Sequence, residues 1–146
     1  MIAVPMYLLD TDHITLLARS GAEGERIRQR VLAAPEGEVC VSVVSYEEQM
    51  RGWLAQLNRV SAMDQQAIYY ARLEEVLHFY STTPLVSFDS LVVNLFQTLW
   101  VQRIRIGTMD LKIAATALAH NATLLTRNTQ DFSKVPGLLV KDWSAE

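Results

Sequence analysis

Met6-Tyr7-Leu8-Leu9-Asp10-Thr11-Asp12-His13 is the stretch on which the fold turns. Four apolar residues stop abruptly at two carboxylates, the pattern of a buried strand that delivers acids at its C-terminal end. The period then changes. Ile14, Leu16 and Leu17 fall at helical spacing up to Gly21. Glu25 to Ala34 reads as a second helix, apolar at Ile27, Val31 and Ala34 and ended by Pro35 and Gly37. The β-branched run Val39-Cys40-Val41-Ser42-Val43-Val44 is the clearest strand in the chain. Ser45 follows at an N-cap position, and Met50, Trp53, Leu54 and Leu57 mark one face of the helix it opens.

The alternation continues outward. Ser61 opens a longer helix with apolar positions at Met63, Ala67, Tyr70, Leu73, Leu77 and Tyr80, in steps of three and four. Pro84 to Val86 is a short strand, and Asp89 caps a helix running through Leu91, Leu95 and Leu99. Ile106-Gly107-Thr108 turns into an alanine-rich helix from Met109 to about His120. Ala122 to Thr126 and Gly137 to Val140 are the last two strands. There is no internal repeat and no linker. Strands alternating with helices predict one α/β domain over residues 1–146, with a mainly parallel sheet of four to five strands covered by helices.

Composition narrows the function. A chain of 146 residues, half apolar and one-fifth charged, has the balance of a globular domain, which excludes a disordered tail, a collagen-like chain or a disulfide-stapled miniprotein. Thirteen Lys and Arg against sixteen Asp and Glu leave a net charge of −3. A protein that wraps DNA non-specifically carries a basic excess, so contact with nucleic acid here must be local or mediated by a metal. Cys40 is the only cysteine and sits in an apolar run, which predicts a buried, inert thiol. Met1 and Met6 are alternative starts. The first ten residues hold no Lys or Arg, and their apolar run is too short for a signal peptide or a membrane span. The expectation is a cytoplasmic protein with no membrane association.

Ligands of open α/β sheets bind beyond the C-terminal ends of the strands. Asp10 stands at one such end, Glu47 and Glu48 at the helix start after the second strand, and Asp110 at the start of the alanine-rich helix. Asp131 follows the strand that ends at Thr126. Carboxylates gathered there raise one another's pKa unless a cation compensates. An all-oxygen donor set suits Mg²⁺ or Mn²⁺, and no Cys/His pair has zinc spacing. Each acid also has a structural explanation. Asp10 and Asp12 suit a helix cap, and Glu48 lies at capping-box distance from Ser45. Asp110 suits the first turn after a Thr108 cap, and Asp131 suits an exposed loop. His13, His78 and His120 read as helix-surface residues. Trp53, Tyr69, Tyr70 and Trp100 read as core, and any left exposed would point to a second copy or a partner peptide.

Four segments, in order, resemble the motifs of PIN-domain ribonucleases. They are Leu8-Leu9-Asp10-Thr11-Asp12-His13; Val41-Ser42-Val43-Val44-Ser45-Tyr46-Glu47-Glu48 with Gly52; Ile106 to Ala115 with its Asp110-Leu111-Lys112-Ile113-Ala114-Ala115 core; and Leu124-Leu125-Thr126-Arg127-Asn128 with Asp131-Phe132. The chain is most similar to VapC-type toxins of bacterial toxin–antitoxin pairs. The resemblance implies a three-layer α/β/α fold and an endoribonuclease held in check by a VapB-type antitoxin and acting as a homodimer. It implies metal-binding acids at Asp10, Glu48 and Asp110, Glu48 being preferred to Glu47 because Gly52 stands four residues beyond it. Many relatives carry Asp where this chain has Asn128; that Asn can still coordinate through its carbonyl oxygen or position a water or substrate, and Asp131 is the preferred fourth acid, completing the site through water. Thr11 and Thr126 are expected to orient the carboxylates, and Lys112 and Arg127 to meet phosphates. A divalent ion there polarises a phosphoryl oxygen and acidifies a bound water. Two alternatives stand beside this reading: a PIN-like RNA- or protein-binding module that no longer cleaves, and a phosphatase of the haloacid-dehalogenase type using Asp10 as nucleophile.

Overall fold

The structure, a computed structural model, describes residues 6–146; residues 1–5, and with them the Met1 start and much of the leader reading, lie outside the described residues. Five strands form one all-parallel sheet in the order β3-β2-β1-β4-β5. The central strand β1 (Met6–Leu9) lies between β2 (Val39–Ser42) and β4 (Ala122–Leu125). β3 (Leu85–Val86) and β5 (Leu139–Lys141) are the edges. Leu9 pairs with Val41 on one side and Leu125 on the other, so the three inner strands end level. The chain lays down β1, β2 and β3 in one direction and then returns to place β4 on the opposite side of β1. The strand order therefore reverses between β1 and β4, where open α/β sheets place their ligands.

Side chains alternate across the sheet. Leu8, Cys40 and Leu124 face one core, which α5 (Ser90–Val101) and α6 (Thr108–Ala119) cover. Leu9, Val41 and Leu125 face the other, beneath α1 (Thr11–Leu17), α2 (Ala22–Ala33) and α4 (Met63–Thr82). Ala114, Ala115 and Ala117 are fully buried, which lets α6 approach the sheet closely. α3 (Val43–Arg59) contributes Val44 to the first core and Tyr46, Met50 and Trp53 to the second. α7 (Thr129–Phe132) is a single turn after β4. The expected three-layer arrangement is present, with five strands, and Cys40 is free and buried. Among the described residues no helix is long and apolar enough to cross a membrane.

Several local expectations are corrected. β2 ends at Ser42, and the Ser42 hydroxyl accepts the Ser45 N–H at 3.0 Å, so Ser42 is the cap and Ser45 lies buried inside α3. α6 begins at Thr108 with Gly107 as its cap. On α4 the face turned inward carries Val76 and Tyr80, while Met63, Tyr70 and Leu77 are exposed. On α5 Val92 and Leu99 are buried and Leu91 is not; Trp100 is also exposed. Both helices have apolar residues on two faces, so spacing alone does not say which face is covered. Glycine fixes one close approach: at the buried Gly24 a Cβ would collide with the carbonyl oxygen of Leu16, so α2 rests directly on the backbone of α1.

Candidate active site

Asp10 is the first residue after β1 and Thr126 the first after β4, facing each other across the reversal of strand order. Asp10 is buried, with 6% of its surface exposed. One carboxylate oxygen accepts the Thr11 N–H at 2.8 Å and thereby caps α1; the other accepts the Thr126 hydroxyl at 2.8 Å. Burial, then the neighbouring charge of Asp12 and more weakly that of Asp110, push this carboxyl from 3.8 up to about 7, against the pull of those two hydrogen bonds. Asp10 is therefore a cap and also a strained acid.

Asp12 closes the other side of Thr126. One of its oxygens lies 3.2 Å from the Thr126 hydroxyl oxygen and accepts the Arg127 N–H at 2.9 Å; the other lies 2.9 Å from His13 Nδ1. Burial raises the Asp12 carboxyl, but the bonds from His13, the Arg127 backbone and Thr126 outweigh it and hold the group below its usual range. His13 is fully buried, not a surface residue. Its Nε2 accepts the Trp143 N–H at 3.0 Å, so that nitrogen carries the lone pair and Nδ1 carries the proton given to Asp12. The partner lies 130 positions away, which is why helical spacing near residue 13 gave no sign of it. Neither the cap reading of Asp12 nor the surface reading of His13 anticipates that both belong to the network around Asp10.

Glu48 arrives from the second turn of α3. Its Oε1 accepts the Thr11 hydroxyl at 2.8 Å, and Thr11 Oγ1 lies 3.0 Å from Ser45 Oγ, which in turn lies 3.4 Å from Ser42 Oγ. Each hydroxyl has one proton to give, so a file of donors running Ser42, Ser45, Thr11 ends on the carboxylate. The expected capping box does not form, because Ser45 is not the cap. Glu47 turns away and pairs with Arg51 at 2.6 Å. Asp110, in the first turn of α6, has its carboxyl raised by burial first, then by Glu48, Asp131 and Asp12. Acids from three separate elements therefore act on one another at the switch point.

The outer residues behave differently. Asp131 is substantially exposed and held by the Asn128 amide at 3.1 Å and Lys134 at 3.3 Å, which keep its carboxyl below the usual range. Asn128 is spent locally: its side-chain oxygen caps α7 and its N–H donates to Thr126. The Arg127 guanidinium reaches Glu23 on α2 at 3.5 Å, and only its backbone touches the acid network. Lys112 stands half-buried on α6, one turn from Thr116, with no recorded salt bridge among the described residues.

As the side chains stand, no three acid, histidine or cysteine groups among the described residues form a ready ligand cage. The acids lie within electrostatic reach of one another, and among them only Asp131 is held by a charged donor, Lys134. Their chemistry fits a hard divalent cation: every donor is oxygen, and the Asp10 and Asp110 carboxyls are raised by burial and, after it, by neighbouring acids. Tyr80 adds an unexpected element. It is 8% exposed, its hydroxyl has no hydrogen-bond partner, and burial first, then Glu48 and Asp10, drive the phenol's pKa upward. Beside Thr11 and Glu48 opens a cleft of about 670 Å³ that continues past Trp53 to Arg19, Arg28 and Arg72. These three cations come from separate segments, which the sequence did not bring together.

Residues 7–138 match the PIN domain, and the chain belongs to the PIN domain family. It shares 49% identity over 47 residues with ribonuclease VapC1 of Rickettsia felis, a stretch covering 32% of this chain and about a third of that protein's length, 35%. Ribonuclease VapC2 of the same organism is 28% identical over 138 residues, 94% of this chain and 98% of that protein. Among solved structures, VapBC-1 from nontypeable Haemophilus influenzae is similar at a TM-score of 0.72 and 25% identity, covering 96% of this chain and 99% of that chain.

Proposed function

We propose that this chain is a VapC-type toxin: a divalent-metal-dependent endoribonuclease, restrained by a VapB-type antitoxin. The observation that supports the reading is that buried Asp10 and half-buried Asp110, from different elements, both have carboxyls raised first by burial and then by neighbouring carboxylates, Glu48 among those acting on Asp110. Full-length similarity to ribonuclease VapC2 of Rickettsia felis and to a VapBC complex supports it. Asp10, Glu48 and Asp110 would hold Mg²⁺ or Mn²⁺, with Asp131 completing the site through water. The bound ion supplies Lewis-acid polarisation of the phosphate and a more acidic water.

The chain's own residues do the rest. Thr126 and the Thr11 N–H fix Asp10, and the Thr11 hydroxyl fixes Glu48. Asp110, whose carboxylate has no hydrogen bond from the described residues, is the acid free to take a proton from the attacking water. The water oxygen bonds to phosphorus as the ester P–O bond breaks, and the leaving oxygen is protonated in turn. Arg19, Arg28 and Arg72 line the cleft and would draw RNA phosphates to the acids despite the net charge of −3, with Lys112 as a further phosphate contact. The whole chain would act as one PIN-like domain, in the cytoplasm. The apolar face of α5, open at Leu91, Trp100 and Val101, supports a homodimer.

Mapping of new RNA ends tests this. Total cellular RNA is incubated with antitoxin-free protein and Mn²⁺ or Mg²⁺, with chelator and Asp110→Asn controls. Ends confined to a few sites and lost in both controls are expected. No metal-dependent ends from folded, antitoxin-free protein would leave the non-cleaving binding module as the better account.

A further inference from the structure

Residues from the two ends of the chain meet on one buried imidazole. His13, fully shielded from solvent, accepts the Trp143 N–H on Nε2 at 3.0 Å and faces Asp12 with Nδ1 at 2.9 Å. A backbone N–H can only donate, so Nε2 presents its lone pair and the ring's proton sits on Nδ1. Trp143 is itself held from outside the site. Its indole packs on Tyr7 of β1 at 4.8 Å, and the adjoining Ser144 carbonyl takes the Arg26 guanidinium at 2.6 Å. Asp12 then reaches across the reversal of strand order, where one oxygen accepts the Arg127 N–H at 2.9 Å and lies 3.2 Å from Thr126 Oγ1. The Thr126 hydroxyl donates to Asp10 at 2.8 Å. An unbroken run of contacts thus leads from Trp143 to Asp10.

We propose that His13 is a positioning residue: its Nδ1–H fixes Asp12, Asp12 fixes the Thr126–Arg127 segment, and that segment carries the hydroxyl that holds Asp10. Trp143 locks the tautomer, since an imidazole protonated on Nε2 would offer Asp12 a lone pair in place of a proton. Asp12 needs the anchor. Its side chain is 32% exposed and its charge acts unfavourably on the buried Asp10, so an unheld carboxylate would turn to solvent and abandon the Arg127 N–H. A histidine that only packs the core, with both nitrogens satisfied, predicts no link between the chemistry and the nitrogen that is kept. Outer groups that orient metal-binding carboxylates commonly change affinity or activity by about an order of magnitude. The inference rests on the metal-dependent ribonuclease reading and adds a residue to it.

Two substitutions in the full chain separate the ring's two ends. His13→Asn keeps a donor near the Nδ1 position and loses the bond to Trp143; His13→Gln keeps an acceptor near Nε2 and loses the donor to Asp12. Both leave part of the ring's volume empty and should lower Tm. Only His13→Gln should weaken Mn²⁺ affinity, read by calorimetry, roughly 5- to 10-fold, and lower kcat on a mapped RNA site by a similar factor with KM unchanged. His13→Asn should stay within about threefold of wild type on both. Equal losses, none in either variant, or a greater loss in His13→Asn would reduce His13 to core packing and leave the ribonuclease reading standing. Heteronuclear NMR of the histidine rings in metal-free wild-type protein gives a readout that needs neither activity nor a variant. The His13 proton is expected on Nδ1, and a ring protonated on Nε2 would overturn the proposal by itself. A wild-type protein that neither binds Mn²⁺ nor cleaves RNA would overturn both the role of His13 and the ribonuclease reading.

Discussion

The Thr126 hydroxyl donates to Oδ2 of Asp10 at 2.8 Å, joining the ends of β4 and β1 at the one place where the sheet changes its strand order. The same oxygen lies 3.2 Å from Asp12 and accepts the Asn128 N–H at 3.1 Å. One hydroxyl thus sets the spacing of two carboxylates. Thr126→Val keeps the shape and removes the donor. We expect kcat/KM to fall roughly 10- to 100-fold, the usual cost of losing an outer hydrogen bond on a metal ligand, and Thr126→Ser to restore most of it. A valine variant as active as wild type would show that Asp10 needs no such support.

Asp10 gives metal-free protein a pH dependence of definite sign. Its folded pKa, about 7, exceeds its ordinary 3.8, so the folded state binds the proton more tightly than the unfolded chain does. The stability this group contributes is complete below about 4 and is lost as pH rises through 7, on the order of 4 kcal/mol for this group alone. Metal-free Tm should therefore climb as pH falls from about 8 to about 5. Asp12, held below its usual range, has the opposite sign, and its contribution fades as the solution becomes more acidic than that. Asp10→Asn should flatten the climb. A flat wild-type profile over that interval would contradict the burial argument.

Divalent metal should raise Tm by roughly 5–10 °C near a hundredfold excess over its dissociation constant. Asp110→Asn should abolish both this shift and RNA cleavage while keeping the fold, because removing one of several repelling charges does not harm the metal-free state. Asp131→Asn should cost less, since that acid is substantially exposed and already paired with Lys134. Complete inactivation by Asp131→Asn would move that residue into the innermost set.

Two glycines should respond oppositely to alanine. At Gly24 the added methyl meets the Leu16 carbonyl, so Gly24→Ala should destabilise by about 1–3 kcal/mol as α2 is forced off α1. At Gly52, inside α3, nothing lies within 4 Å, and Gly52→Ala should stabilise by up to about 1 kcal/mol through helix propensity. Denaturant titration of both variants reads the difference directly.

Much of this arrangement was legible from local signals. An apolar run broken by Asp10-Thr11-Asp12 is enough to place a strand end, and level ends of β1 and β2 put Asp10 and the start of α3, which carries Glu48, on one side; Asp110 comes from α6, which no strand precedes directly. What escaped depends on distant partners or on ambiguity within a helix. His13 is defined by Trp143, a contact no spacing rule reaches. The covered face of α4 could not be chosen, because Leu77 and Val76 are equally apolar and only the packing on α3 decides. Ser45 and Ser42 are one turn apart, both suited to capping, and the choice depends on where β2 stops pairing with β3. Tyr80 looked like ordinary core, since nothing in its neighbours reveals where its hydroxyl ends.

The link from His13 to Trp143 also bears on the order in which the proposed site is assembled. Synthesis runs from the N-terminus, so Asp10 and Asp12 exist long before their supports do. Thr126 comes late, and the strand that receives its N–H, at Lys141, comes later still. Trp143 supplies the bond that sets His13, and the Ser144 carbonyl anchors Arg26 of α2 at 2.6 Å. Thr126, His13 and Arg26 therefore each gain a contact that only residues 141–144 can supply. On the toxin reading proposed above, the supports of the acid cluster are among the later parts of the fold to be laid down, well after the acids they hold.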